Sequence, residues 1–180
     1  SMLGVIESAF ADEVVAYVDA HYPTVATKQG RAIAGLSLGG LQTIFIAANN
    51  PDMFNYVGLF SAQTTNMLDD TSIGNLKSLS GGASKLLKNI PFVSDSKLSK
   101  KLQRIDERMT KVEVYKNLDE KLARQFASAP ALYYIAVGCD DFTLKLNDDF
   151  RKRLDAAGYQ YLYNPTSGGH SWENWRRYML

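Results

Sequence analysis

Residues 35–39 read Gly-Leu-Ser-Leu-Gly, a G-x-S-x-G pattern. Such a pattern puts a serine on a tight strand-to-helix turn that pushes its hydroxyl clear of a sheet, with glycines where a Cβ would clash. The backbone N–H of Leu38 would then face a developing oxyanion, close to a helix N-terminus that favours negative charge. Taken alone the pattern is weak. At Gly and Ser usage of about 7% each, chance supplies one match in about twenty chains of this length. Context separates it from an ordinary glycine-rich turn: an apolar run, Arg31 to Leu36, comes directly before it, and an apolar helical run, Leu41 to Ala48, directly after.

A serine nucleophile needs a base, and the chain holds two histidines. His21 ends a first helix beside Tyr22 and Pro23, a place that suits a surface cap or a partly buried ring. His170 lies in Ser167-Gly168-Gly169-His170-Ser171-Trp172, a glycine loop after the last strand, where an α/β hydrolase carries its imidazole. The bland alternative for His170 is a loop histidine with a structural hydrogen bond. The acid is expected between serine and histidine at a strand end, to hold the imidazole tautomer and stabilise the imidazolium. Gly138-Cys139-Asp140-Asp141-Phe142 meets that description, in the hydrolase order Ser…Asp…His. Spacing does not separate Asp140 from Asp141, and one of the two is expected to cap the next helix. Asp148 and Asp149 read as a solvent-facing helix surface.

The elements that must position these groups follow from periodicity. Val5, Ile6, Phe10, Val14, Tyr17 and Val18 predict an amphipathic helix over 5–22, stopped by Pro23. Apolar runs at 31–36, 56–61 and 131–137 predict buried parallel strands. The alternation of Tyr159, Tyr161 and Tyr163 suits a last strand, followed by a loop from Pro165 to His170. Asn49-Asn50-Pro51 ends the helix after the serine. A helix from about Thr143 to Ala157 turns Leu146, Phe150 and Leu154 inward and stops at Gly158. Residues 62–129 differ in character. They are rich in Ser, Lys, Asp and Gly, with helical patches near 97–109 and 116–127, the latter carrying Leu118, Leu122 and Phe126 on one face. Alternating strands and helices give an α/β class with a mainly parallel sheet, in one domain of residues 1–180 with 62–129 as an insert or lid-like helical region.

Composition narrows the partners. With 20 basic against 19 acidic residues the net charge is +1, so no field recruits a polyanion and nucleic acid is not expected. Cys139 is the single cysteine, which leaves no intrachain disulfide and no Cys-rich metal site. No apolar run reaches bilayer length, and no membrane partner is expected.

Arg31 to Gly40, Asn50-Pro51-Asp52-Met53-Phe54, Gly58-Leu59-Phe60-Ser61 and Gly168-Gly169-His170-Ser171-Trp172 with Trp175-Arg176-Arg177-Tyr178 resemble the esterase D / feruloyl and acetylxylan esterase family (carbohydrate esterase family 1). Gly138 to Phe142 is similar to that family's G-x-x-D-F acid loop, and this selects Asp141. The resemblance implies a serine α/β-hydrolase without metal or cofactor, acting on acyl esters of plant cell-wall carbohydrate, with Ser37, His170 and Asp141 catalytic and Leu38 in the oxyanion hole. The resemblance is compatible with a secreted or periplasmic location, but residues 1–4 lack the basic region and apolar stretch of a signal peptide and the sequence leaves localisation open. Trp172 is a candidate for lining an acyl or sugar pocket, or equally for packing the terminal helix. The family carries several strands ahead of the helix that begins here at Val5, and those strands supply a second oxyanion donor. A missing donor would remove roughly 3 kcal/mol of transition-state stabilisation. An uncovered strand 31–36 predicts a partner chain, a second copy or a longer protein along that edge. Other readings stay open: a peptidase or thioesterase on the same fold, or a carbohydrate-binding or assembly module with a relict triad.

Overall fold

The computed structural model describes residues 5–64 and 113–179. Four strands, β1 (Ala32–Leu36), β2 (Tyr56–Phe60), β3 (Leu132–Gly138) and β4 (Leu162–Thr166), form one sheet in the order β1-β2-β3-β4. Every neighbouring pair is parallel. Helices connect the strands, as parallel pairing demands. The expected α/β class with a parallel sheet holds.

The first helical stretch departs from its expectation. It runs as α1 (Val5–Ala9), a π-helical segment (Phe10–Val15) and α2 (Ala16–His21). Tyr22, before Pro23, is extended at φ −131°, as the proline ring requires of its predecessor. Five of the six side chains read as its inward face, Val5, Ile6, Val14, Tyr17 and Val18, are exposed, and Glu7 and Ala11 are buried in their place. Polar anchoring explains the rotation. The Glu7 carboxylate accepts hydrogen bonds from the Tyr115 hydroxyl and, at 3.4 Å, from Gln42 Nε2, which turns that side of the helix towards α3.

Helix α3 (Leu38–Asn49) follows β1 and is buried on nearly every side through Leu41, Ile44, Phe45, Ile46, Ala47 and Ala48. A helix apolar all round belongs inside a domain. It starts three residues earlier than the apolar run suggested, because Gly39 and Gly40 fit its first turn. α4 (Leu118–Ala127) brings Leu118 and Leu122 into the same core, and α5 (Leu144–Ala156) adds Phe150 and Leu154. Gly158, at φ +72°, ends α5 where a residue with a Cβ would be strained. The core lies between these helices and the sheet face carrying Ile33, Val57, Leu59, Tyr133 and Ile135. Because strand side chains alternate, Phe60 and Ala136 face the other way and receive Tyr178 of α6 (Trp172–Tyr178).

The last strand also corrects its expectation. Pairing begins at Leu162, opposite Tyr134, and runs through Pro165 and Thr166, where the sequence predicts a loop. Proline is admissible there because β4 is an edge strand, where a missing N–H costs no ladder bond. Tyr159 instead stacks on Phe126 with ring centroids 4.3 Å apart, and the Tyr161 hydroxyl donates to Asp155 at 2.7 Å. The helical patch near 97–109 lies outside the described residues. No described helix is long and apolar enough to cross a membrane.

The turn from β1 into α3 depends on two glycines, only one of them in the G-x-S-x-G pattern's flanks. A Cβ on Gly35 would sit 2.1 Å from the Gly39 carbonyl oxygen, and one on Gly40 would sit 2.6 Å from the Ala62 Cβ. A Cβ on Gly39 meets nothing within 4 Å among the described residues. Gly35→Ala should therefore cost several kcal/mol in urea denaturation, or prevent folding. Gly39→Ala should stay within about 1 kcal/mol of the parent chain, or stabilise α3 slightly.

Candidate active site

The carboxyl ends of four parallel strands point the same way, and open α/β sheets place their chemistry there. Ser37 leaves the end of β1 at φ 53°, ψ −116°, a conformation rare for a residue with a Cβ. Its N–H donates to the Phe60 carbonyl at 2.9 Å, and its own carbonyl accepts from Gln63 N at 2.9 Å. These bonds over-determine the turn and hold the strain in place. The N–H of Leu38 opens α3 and has no helical acceptor, so it is available to an anion.

His170 arrives from the loop after β4. That loop is stitched to the acid loop after β3: Cys139 N donates to the Thr166 carbonyl at 2.8 Å, and Asp140 N to the Gly168 carbonyl at 3.1 Å. The fit leaves no slack, since a Cβ on Gly138 would lie 2.0 Å from the Gly168 oxygen. Buried Asn174 of α6 donates to the Gly169 carbonyl at 3.1 Å and fixes the loop from behind.

These supports bring three of the expected residues together. The Ser37 hydroxyl lies 3.0 Å from His170 Nε2, and His170 Nδ1 lies 3.0 and 3.1 Å from the two Asp141 oxygens. An ionised carboxylate only accepts, so Nδ1 carries the imidazole proton and Nε2 offers its lone pair to the Ser37 hydroxyl. The arrangement can draw a proton from Ser37 as its oxygen attacks.

Asp141 is the acid that the loop places inward, while Asp140 is exposed. The Asp141 side chain is fully buried. Burial is the largest influence on its carboxyl and pushes the pKa up. Hydrogen bonds from His170, from Ser61 and from the Thr143 N–H and hydroxyl together outweigh it and hold the group below the ordinary carboxylate range. Both Thr143 bonds measure 2.8 Å. Asp141 thus also closes a turn just ahead of α5, whose N-cap is Thr143, so the helix cap expected of one of the two aspartates is formed by neither.

The remaining candidates separate plainly. His21 is exposed, stacked on Tyr17 and hydrogen-bonded to the Tyr17 carbonyl at 2.8 Å, far from Ser37 in role. Asp148 and Asp149 pair with Arg151, Lys145 and Lys152 on the α5 surface. Trp172 is 67% exposed and meets Trp175 edge-on at 5.1 Å, while Trp175 and Phe142 touch the His170 ring at 4.8 and 4.4 Å. Sequence reasoning missed Thr143 and Ser61. The Asp-x-Thr spacing of an Asx turn could have signalled Thr143; nothing marked Ser61. Among the described residues no cluster of His, Cys, Asp and Glu is placed to hold a metal ion.

Sheet order, strained serine and carboxyl-end loops define an α/β-hydrolase-type domain. The chain belongs to the Esterase family, whose model matches residues 6–180. Over 58 residues it is 43% identical to an endo-1,4-beta-xylanase/feruloyl esterase of Xylanibacter ruminicola, covering 32% of this chain and 8% of that protein. Over 59 residues it is 36% identical to an acetyl esterase of Caldicellulosiruptor saccharolyticus, covering 33% and 22%. Among solved structures, a ferulic acid esterase shares the fold with a TM-score of 0.62 at 22% identity, covering 96% of this chain and 56% of that one. An S-formylglutathione hydrolase from Staphylococcus aureus does so with a TM-score of 0.64 at 24% identity, covering 93% and 58%. The chain therefore spans little more than half the length of these solved relatives.

The depressed Asp141 pKa has a consequence for stability. A group whose folded pKa lies below its unfolded value, about 3.9 for Asp, stabilises the fold fully above that value and loses the contribution as pH falls through the folded pKa. The stability gap between the parent chain and Asp141→Asn should be widest near pH 7 and should narrow below about pH 4. Urea titrations at both pH values check this.

Proposed function

We propose that the chain carries the catalytic site of a serine carboxylic-ester hydrolase acting on feruloyl or acetyl esters of plant cell-wall carbohydrate through an acyl-enzyme. The observation that carries this reading is the unbroken hydrogen-bonded chain Ser37–His170–Asp141, at 3.0 Å on each side of the imidazole. Esterase family membership supports the reaction class, and the names of the curated relatives support the substrate class.

In the proposed cycle Ser37 Oγ attacks the acyl carbonyl while His170 Nε2 takes the hydroxyl proton. The tetrahedral oxyanion accepts from the Leu38 N–H. His170 then returns the proton to the leaving sugar oxygen, and the C–O bond to the sugar breaks. Water repeats the sequence on the acyl-serine and releases the acid. Asp141 keeps the imidazole in the productive tautomer throughout. No step calls for a metal or cofactor. Exposed Trp172, with Phe142 beside His170, offers an aromatic wall for the acyl group or a sugar ring.

We also propose that a second copy of the chain pairs along the outer side of β1, the outermost of the described strands. Exposed Val14, Tyr17 and Val18 support this, on a helix that Asp19 ties to Arg31 at the foot of β1. Sedimentation over a concentration series should show self-association; a monomer at every concentration would overturn it.

A fluorophosphonate probe should label the parent chain and leave Ser37→Ala unlabelled. Turnover of methyl ferulate or p-nitrophenyl acetate should fall at least about a thousandfold in the same variant. Absence of label on the parent chain would favour a carbohydrate-binding module with a relict triad. Preference for a peptide or an acyl thioester would favour the peptidase or thioesterase reading.

A further inference from the structure

A base held through one nitrogen can still swing. The Asp141 oxygens meet only Nδ1 of His170, at 3.0 and 3.1 Å, and the Ser37 hydroxyl at Nε2 rotates about its own bond. Gly168 and Gly169, which precede His170, fit the backbone against the acid loop but bring no side chain to the imidazole. Lateral support for the ring must come from elsewhere.

Two aromatic rings touch the imidazole. Phe142 meets it at 4.4 Å but lies exposed on the acid loop. Trp175 of α6 meets it with centroids 4.8 Å apart and planes at 88°, the perpendicular arrangement that aromatic rings favour. Trp175 is itself moored, since its indole N–H donates to Ser61 Oγ at 3.0 Å. Ser61 is fully buried directly after β2, and its N–H donates to the Ala136 carbonyl of β3 at 2.8 Å. It keeps φ +46°, where glycine would sit without strain but would give the indole no acceptor. The middle of the sheet, Ser61, Trp175 and the base thus form one connected chain.

We propose that Trp175 is a positioning residue for the base: its indole, moored to Ser61 at the end of β2, holds the His170 imidazole in the orientation that joins Asp141 to Ser37. The inference rests on the serine-hydrolase reading above and deepens it. Trp175 moves no proton, because an indole has one N–H and no acceptor, and that N–H is committed to Ser61. It acts by limiting the swing of the ring about Nδ1, so that Nε2 stays within reach of the Ser37 hydroxyl. Such control matters, since misplacing a reacting group by about 1 Å can slow a reaction roughly a hundredfold. The Trp-Arg-rich terminus therefore contributes more than packing.

Trp175→Leu removes the ring, Trp175→Phe keeps a ring but deletes the mooring, and Ser61→Gly deletes the mooring alone at a φ that glycine adopts freely. All are compared under conditions where circular dichroism shows each chain folded. With p-nitrophenyl acetate, Trp175→Leu should lower kcat about tenfold or more and the two mooring variants about threefold or more, each with KM within about twofold of the parent chain. The double variant Ser61→Gly/Trp175→Phe should lose little more than either single one, since both cut the same bond. A proton NMR readout follows the ring itself and needs no turnover: the His170 Nδ1–H resonance should exchange with water faster in Trp175→Phe and Ser61→Gly than in the parent chain. Unchanged kcat and unchanged exchange in these two variants would overturn the inference. An inactive parent chain would instead count against the esterase reading, while the exchange measurement would still decide the role of Trp175.

Discussion

A carboxylate removed from water must be surrounded by donors or give up its charge. Asp141 is that group here, and much of the fold is arranged around keeping it ionised. The imidazole of His170 and two donors from Thr143 converge on it. They come from different pieces of chain, the loop after β4 and the start of α5. The parallel sheet makes this convergence possible, because it delivers the ends of β2, β3 and β4 to one rim in register. Antiparallel neighbours would have sent alternate ends to opposite rims.

The same rim explains where strain is accepted. Ser37 and Ser61 both leave neighbouring strands with positive φ, and each is held by a bond into the next strand, Ser37 to Phe60 and Ser61 to Ala136. Two adjacent strands thus end in the same forced manner, Ser37 with its hydroxyl 3.0 Å from His170 Nε2 and Ser61 with its hydroxyl accepting from the Trp175 indole. Glycine at Gly35, Gly40 and Gly138 supplies the close approaches these turns need. The serine, acid and base loops are consequently one packed unit, and displacement of any of them moves the others.

Much of this was legible in the sequence. The elbow, the strand before it, the helix after it and the histidine loop each carry a local signature in residue type and spacing. The choice of Asp141 over Asp140 needed family resemblance, because both stand at the same strand end and only the path of the loop decides which turns inward. What stayed hidden depends on tertiary contact. The inward turn of α1 at Glu7 arises from the Tyr115 hydroxyl more than a hundred residues away, and no periodicity can report that. The continuation of β4 through Pro165 depends on its lying at the edge of the described sheet. Ser61 has no sequence mark at all, since a serine after a strand is common and its bond with Trp175 is a tertiary contact.

The central claim is that Asp141 locks His170 as the tautomer protonated on Nδ1, leaving Nε2 to accept from Ser37. Nitrogen-15 NMR of the imidazole at neutral pH measures this directly. The structure predicts a protonated Nδ1 and an unprotonated, hydrogen-bonded Nε2, with the pattern lost in Asp141→Ala. A parent chain whose His170 carries its proton on Nε2, or whose nitrogens do not respond to loss of Asp141, would contradict the account.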